Sequence, residues 1–161
     1  MTLTYIFSVG RTGGILKISS KSFTHGSRIP SKHTCDGLDV SPELQWTEPL
    51  DNAMTFALIA DDPDAPGGTF VHWVVYNIGG NRRMLEEGRL PEECLQGVND
   101  FGNLAYSGPC PPRGKPHSYH FKLYALSAKL NLKKGATSVD VEKAMQGLVI
   151  ESTELVGQYG R

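Results

Sequence analysis

Long apolar runs, an excess of one charge and cysteine motifs are what this chain has least of. No stretch approaches the roughly 18 consecutive apolar residues that a membrane-spanning helix needs, so integral membrane association is not expected. Lys plus Arg number 16 against 17 for Asp plus Glu, for a formal net charge of -1. Such a balance supplies no field for holding a phosphate polymer or an anionic bilayer, and argues against nucleic-acid binding. The three cysteines, Cys35, Cys94 and Cys110, form an odd set without CxxC spacing, which gives no reason to expect a metal site or a cofactor. The opening segment MTLTYIFSV has neither a basic start nor a small-residue cleavage site, and Arg11 follows its apolar patch rather than preceding it. That pattern leads us to expect a cytoplasmic protein.

What is present suits one packed domain over residues 1–161, with 39% hydrophobic residues and 20% charged, enough apolar material for a core of its own. The 18 glycines and 10 prolines are spread along the chain and separate short apolar runs, the rhythm of a mainly β protein. Leu16 and Ile18 alternate with polar neighbours, and TFALIA from Thr55, TFVHWVVYNI from Thr69 and YHFKLYAL from Tyr119 each read as strands. In the second of these long runs, alternation puts Val71, Trp73 and Val75 on one face and His72, Val74 and Tyr76 on the other. Both faces are largely apolar, so the strand belongs inside a sheet covered on both sides. Towards the end, Val141, Ala144, Met145, Leu148 and Val149 recur at helical spacing behind a Thr137–Asp140 capping pair, predicting a helix over 139–151. Pro91–Leu95 reads as a further helical turn. Leu155, Val156 and Tyr159 suit either the core or a dimer contact, core being the commoner use.

Three polar interruptions stand out. Asp61-Asp62-Pro63-Asp64-Ala65-Pro66 ends an apolar strand. Turn formation explains Asp61 and Asp64, whereas Asp62 sits on a proline-stiffened loop that holds its carboxylate in a fixed place. His72 lies within an apolar strand, where a single hydrogen bond to a core imidazole is the plainer reading. The span Tyr106–Tyr119 carries Pro109, Pro111, Pro112 and Pro116 and leads into a strand that puts His117 and Tyr119 on one face. Together these segments offer a carboxylate, two imidazoles, a phenol and glycine N–H groups, a set rich in donors and suited to a phosphate or carboxylate oxygen. Pro66, Phe70, Trp73 and the Pro111-Pro112 pair supply apolar walls.

In order along the chain, HTCDGLDVSPELQW from His33, DDPDAP from Asp61, VHWVVYNI from Val71, SGPCPPRGKPHSYHFKLYAL from Ser107 and the terminal ELVGQYGR resemble the phosphatidylethanolamine-binding protein family, in its smaller prokaryotic branch, over almost the whole length. The resemblance implies a Greek-key β-sandwich of two antiparallel sheets with a C-terminal helix. It also implies a small cavity near that helix that takes phosphate, acetate or a phosphoryl head group. By the same resemblance Asp62, His72, His117 and Tyr119 form the ligand site, Gly108 gives it a backbone N–H, and Pro66, Phe70 and Pro112 line its mouth. Two positions depart from the family pattern. Ser118 stands where arginine is common between the histidine and the tyrosine, and His33 stands where an aromatic residue is common, which changes the charge at the rim. The resemblance brings Cys35 and Cys110 towards the cavity as well, and in a cytoplasmic protein two reduced thiols are expected over a disulfide.

Three functions compete. The favoured one is non-enzymatic binding of a small anionic ligand such as phosphate or a phosphorylethanolamine-like group, weakening as pH rises through the histidine range. The second is a kinase-inhibitor-like regulator acting on a phosphorylated protein partner, as a monomer or homodimer. The third is a hydrolase with Cys110 as nucleophile and His72 or His117 as base, disfavoured because Cys110 lies between two prolines with no evident activating group.

Overall fold

The computed structural model describes residues 15–161, so the expectation drawn from the opening segment lies outside the described residues. Ten regular elements follow in order: β1 (Ile18–Ser19), a 3-10 turn (Ser31–His33), β2 (Leu44–Trp46), β3 (Thr55–Asp62), β4 (Phe70–Gly79), β5 (Met84–Leu85), β6 (Leu95–Gln96), β7 (His117–Leu126), α1 (Ser138–Met145) and β8 (Val149–Tyr159). They form a three-stranded sheet ordered β1-β2-β5 and a five-stranded sheet ordered β6-β4-β3-β7-β8, with every neighbouring pair antiparallel. In the larger sheet β3, β4 and β6 lie side by side and β7 returns by a long connection to lie against β3, the Greek-key arrangement.

The central strands β3 and β4 are buried on both faces because their sequences are apolar at nearly every position. Phe56, Leu58, Trp73 and Val75 pack with Leu44, Trp46 and Leu85 of the smaller sheet into one core. Ala57, Ile59, Val74 and Tyr76 face the other way, against Val141 and Met145 of α1.

Simple alternation fails at His72. Ala60 pairs with Trp73 and Asp61 with Val71, so β4 carries an extra residue there. This bulge moves Val71 to the Val74 and Tyr76 side, correcting the expectation that it shares a face with Trp73 and Val75, and re-aims the His72 side chain. A second irregularity, between the Phe56–Ile78 and Leu58–Val75 pairs, holds Asn77 at φ 55, a left-handed conformation that asparagine tolerates better than most residues.

Thr137 and Asp140 form the expected capping box, but the helix ends at Met145 rather than near residue 151. Gly147 adopts φ 79 and turns the chain into β8, the longest strand. The helix therefore precedes a final edge strand instead of closing the fold. Leu155 and Tyr159 of β8 are buried in the core between the sheets, while Val156 is half-buried. Pro91–Cys94 forms a turn closed by the Cys94 N–H on the Pro91 carbonyl, not a helical segment, and hands the chain to β6. Among the described residues no helix is long and apolar enough to cross a membrane.

Candidate functional site

One cavity of about 180 Å³ opens where the ends of β3, β4 and β7 meet, and Asp62, His72, His117 and Tyr119 all line it. Each side chain arrives by a different route. Asp62 is the last residue of β3, turned inwards as its Oδ1 accepts the Asp64 N–H at 2.8 Å, an Asx turn that the following proline stiffens. Asp64 in turn accepts the Ser118 N–H at 2.8 Å, so the aspartate loop fixes the start of β7. From there His117 and Tyr119 point the same way, two residues apart. Asp61, the first of the three aspartates, lies outside the cavity and accepts the Lys122 ammonium at 2.8 Å.

The hydrogen bonds define both imidazole tautomers. His117 Nδ1 lies 2.7 Å from Asp62 Oδ2 and His72 Nδ1 lies 2.7 Å from the Ser107 carbonyl. A carboxylate and a carbonyl can only accept, so each Nδ1 carries a proton, and a neutral ring keeps its lone pair on Nε2. The site is therefore poorer in free donors than the sequence suggests. Burial is the largest influence on His72 and lowers its pKa below the usual histidine value; the Ser107 carbonyl and the charges of Asp62 and Asp39 oppose that lowering. The Tyr119 phenol is held well above its ordinary range, first by burial and then by the Asp62 charge. His72 and Tyr119 meet edge to face at 5.3 Å between ring centres.

The walls are apolar. Pro66, Phe70, Pro111 and Pro112 line the cavity together with Cys110, which the resemblance had brought towards it, and they are joined by two residues that sequence reasoning did not place there, Ala65 and Phe101. Phe101 packs edge to face on both Phe70, at 4.8 Å, and His72, at 5.5 Å. Trp73, considered as a wall, belongs instead to the core. Gly108 is not at the cavity either. Its N–H donates to Asp39 Oδ1 at 2.8 Å, and a Cβ added there would stand 2.1 Å from the His33 carbonyl oxygen. This glycine is required by close backbone passage rather than by a ligand. No residue of α1 lines the cavity, so the site is not beside the helix as expected. α1 packs on Val74 and Tyr76, across the sheet.

Cys35 and Cys110 form a disulfide with Cα atoms 5.4 Å apart, overturning the expectation of two reduced thiols. The two loops are brought together by more than sulfur. The Cys35 N–H donates to the Pro109 carbonyl at 3.1 Å, and the Tyr106 hydroxyl donates to the His33 carbonyl at 2.6 Å. Cys110 thus has no thiol to act as a nucleophile, and the other cysteine, Cys94, is pushed up to about 12 by burial. Asn99, which no motif announced, supports His72 from behind. Its Nδ2 faces the His72 carbonyl, the Ala105 carbonyl and Ser107 Oγ at 2.9–3.2 Å. Its Oδ1 accepts the N–H groups of Phe101 and Asn103.

The two departures from the family pattern also find places. His33 is buried between the Val40 carbonyl and the Ser22 hydroxyl, and Ser118 Oγ accepts from the Gln158 amide at 2.8 Å. Among the described residues no group of three or more His, Cys, Asp or Glu is placed to hold a metal ion.

Two antiparallel sheets, the larger in Greek-key order, with a carboxylate, two histidines and a tyrosine around one small cavity, define a class of mainly β protein with a small pocket at the strand ends. The chain belongs to the phosphatidylethanolamine-binding protein family, whose sequence profile matches residues 19–160. It is 46% identical to a UPF0098 protein of Aquifex aeolicus, covering 97% of this chain and 94% of the relative. It is 45% identical to a UPF0098 protein of Pyrococcus abyssi, covering 97% and 93%. Its fold matches the crystal structure of a phosphatidylethanolamine-binding protein homologue from Chlamydia trachomatis with a TM-score of 0.87 at 35% identity, covering 91% of this chain and 98% of the other. For Escherichia coli YbcL, described as a member of the mammalian family, the TM-score is 0.86 at 30% identity, covering 92% and 99%.

Proposed function

We propose that this protein binds, without turning it over, a small anionic group of the phosphate or phosphoryl head-group type in the cavity lined by Asp62, His72, His117 and Tyr119. The observation that carries the reading is the meeting of these four polar side chains, from three strands, in a pocket of about 180 Å³ with apolar walls. That volume lies below the range of about 300–1,000 Å³ typical of sites that enclose a drug-sized ligand, so it suits a head group whose remainder lies outside. The family's name points to an ethanolamine phospholipid as one source of such a group, and a phosphorylated protein partner, engaged as by a kinase regulator, is the second. Cytoplasmic placement belongs to the same proposal, and the Cys35–Cys110 bond weighs against it wherever thiols are kept reduced. Titration with inorganic phosphate and with phosphorylethanolamine, followed by NMR, tests the reading. Saturable shifts of the His72 and His117 ring signals are expected, and unchanged ring signals at millimolar ligand would refute it.

A further inference from the structure

Resting on that reading, we propose that the cavity takes up an oxyanion together with one proton, held between an anion oxygen and His72 Nε2, and so selects phosphomonoesters over sulfate esters of the same size and charge. The inference starts from what the polar groups have left to give. The Nδ1–H of His72 is committed to the Ser107 carbonyl at 2.7 Å and that of His117 to Asp62 at 2.7 Å, and the Tyr119 hydroxyl keeps its proton and interacts with the same Asp62 carboxylate. A neutral imidazole with its Nδ1–H committed presents only a lone pair at Nε2. Asp62, with a side chain only 5% exposed, adds a negative charge close by. An anion without a hydrogen would therefore place its lone pairs against the nitrogen lone pair beside a buried carboxylate, an arrangement that costs free energy in a poorly solvated site.

A single proton reverses the balance. If it arrives on the ligand, a P–O–H donates to Nε2; if it is drawn from solvent, Nε2–H donates to the anion oxygen. In both cases one site, one anion and one proton give the same complex. A phosphomonoester, whose second pKa is about 6, can bring that proton at neutral pH. A sulfate ester cannot, and must pay for charging His72 instead. The groups that bear on the His72 ring are Tyr119, Phe70 and Phe101 in ring contact, the Ser107 and Gly108 backbone, and the Asp62 and Asp39 carboxylates. The carboxylates favour a charged ring and burial disfavours it, and burial is the larger influence, so the free site holds His72 neutral where the ligand is still partly protonated.

Methyl phosphate and methyl sulfate test this directly, because near pH 6 their monoanions share charge and tetrahedral shape, and only the phosphate carries an acidic hydrogen. Calorimetric titration of the intact protein at pH 6 should show methyl phosphate binding at least tenfold more tightly. At pH 7.5, in two buffers of different ionisation enthalpy, the methyl phosphate heats should differ by the amount that uptake of close to one proton requires. His72→Gln, whose amide can donate, should bring the two affinities within about threefold, and the wild-type ratio decides the matter even if that variant does not fold. Equal wild-type affinities, or heats independent of buffer, overturn the proton-linked site while leaving anion binding intact. No binding of either ester at millimolar concentration removes both.

Discussion

The cavity is built from two kinds of material. Its floor is carried on strands: Asp62, His72, His117 and Tyr119 sit at the ends of β3, β4 and β7, which run on into the core. Its wall, apart from Phe70 at the start of β4, is carried on loops: Phe101, Cys110, Pro111 and Pro112 lie on segments whose order depends on a disulfide, on prolines and on Asn99. Groups that must hold hydrogen-bond geometry gain from rigid elements, whereas surfaces that only exclude water tolerate a loop if the loop is tied down. The two regions should therefore respond differently to substitution.

The heaviest blow to the wall is removal of its covalent tie. Replacing both Cys35 and Cys110 by serine releases a link between positions 75 residues apart, and chain-entropy reasoning puts the loss near 4 kcal/mol. Chemical denaturation should record that loss, while the ring signals of His117 and Tyr119, held by β7, keep their positions. An equal disturbance of the strand residues would show that floor and wall are one unit. Next comes Asn99→Ala, which removes one donor to the His72 and Ala105 carbonyls and the acceptor of two loop N–H groups and should cost about 2 kcal/mol. Because Asn99 holds the Ser107 segment that orients His72, it should also weaken phosphate binding, which a thermal shift with and without phosphate would read. Asn99→Ala with unchanged phosphate binding would mean that β4 alone positions the ring.

The floor carries its own pH signature. Because the folded state lowers the pKa of His72, the unfolded chain binds more protons than the folded one just below the ordinary histidine value of about 6.5. Stability is then fully present above that value and is lost as pH falls towards the lowered one, by about 1.4 kcal/mol for each unit of lowering. Denaturation series on ligand-free protein should show this loss, and His72→Gln should remove part of it. Added phosphate should protect most at the acid end, because proton-linked binding strengthens as pH falls. A ligand-free stability that rises on acidification through this range would contradict a buried neutral His72.

Much of this contrast was legible before the structure, and the failures have physical causes. The central strands announced themselves because TFALIADD and FVHWVVYNIG are apolar on both faces, and the Thr137–Asp140 cap is a local device. For the same reason the bulge at His72 was hidden: where both faces are apolar, alternation gives no warning that one residue has slipped. Continued three-and-four spacing through Leu148 and Val149 masked the helix end, which Gly147 decides. The disulfide depends on two loops meeting, something no local pattern encodes, and Asn99 acts on backbone atoms in its own loop and in β4 through an ordinary loop residue. Recognising donors by residue type also overstated what the site can donate, since the partners of each Nδ1 are tertiary.

The smallest expected effect separates the regions most cleanly. Phe101 is 47% exposed, lines the cavity and packs its ring on Phe70 and His72. Aromatic pairs of this kind contribute about 0.5–1.5 kcal/mol, so Phe101→Ala should lower stability by about 1 kcal/mol or less. Inorganic phosphate, which needs only the floor, should bind the variant within about twofold of wild type, because no polar partner has been removed. A phosphomonoester with a hydrocarbon arm should lose about fivefold, corresponding to about 1 kcal/mol of apolar contact. Titrating the same variant with phosphate and with hexyl phosphate makes the comparison internal. If both ligands weaken together, Phe101 acts by orienting His72 and the wall is part of the recognition chemistry; if only the alkylated ligand weakens, the loop serves to shelter the arm.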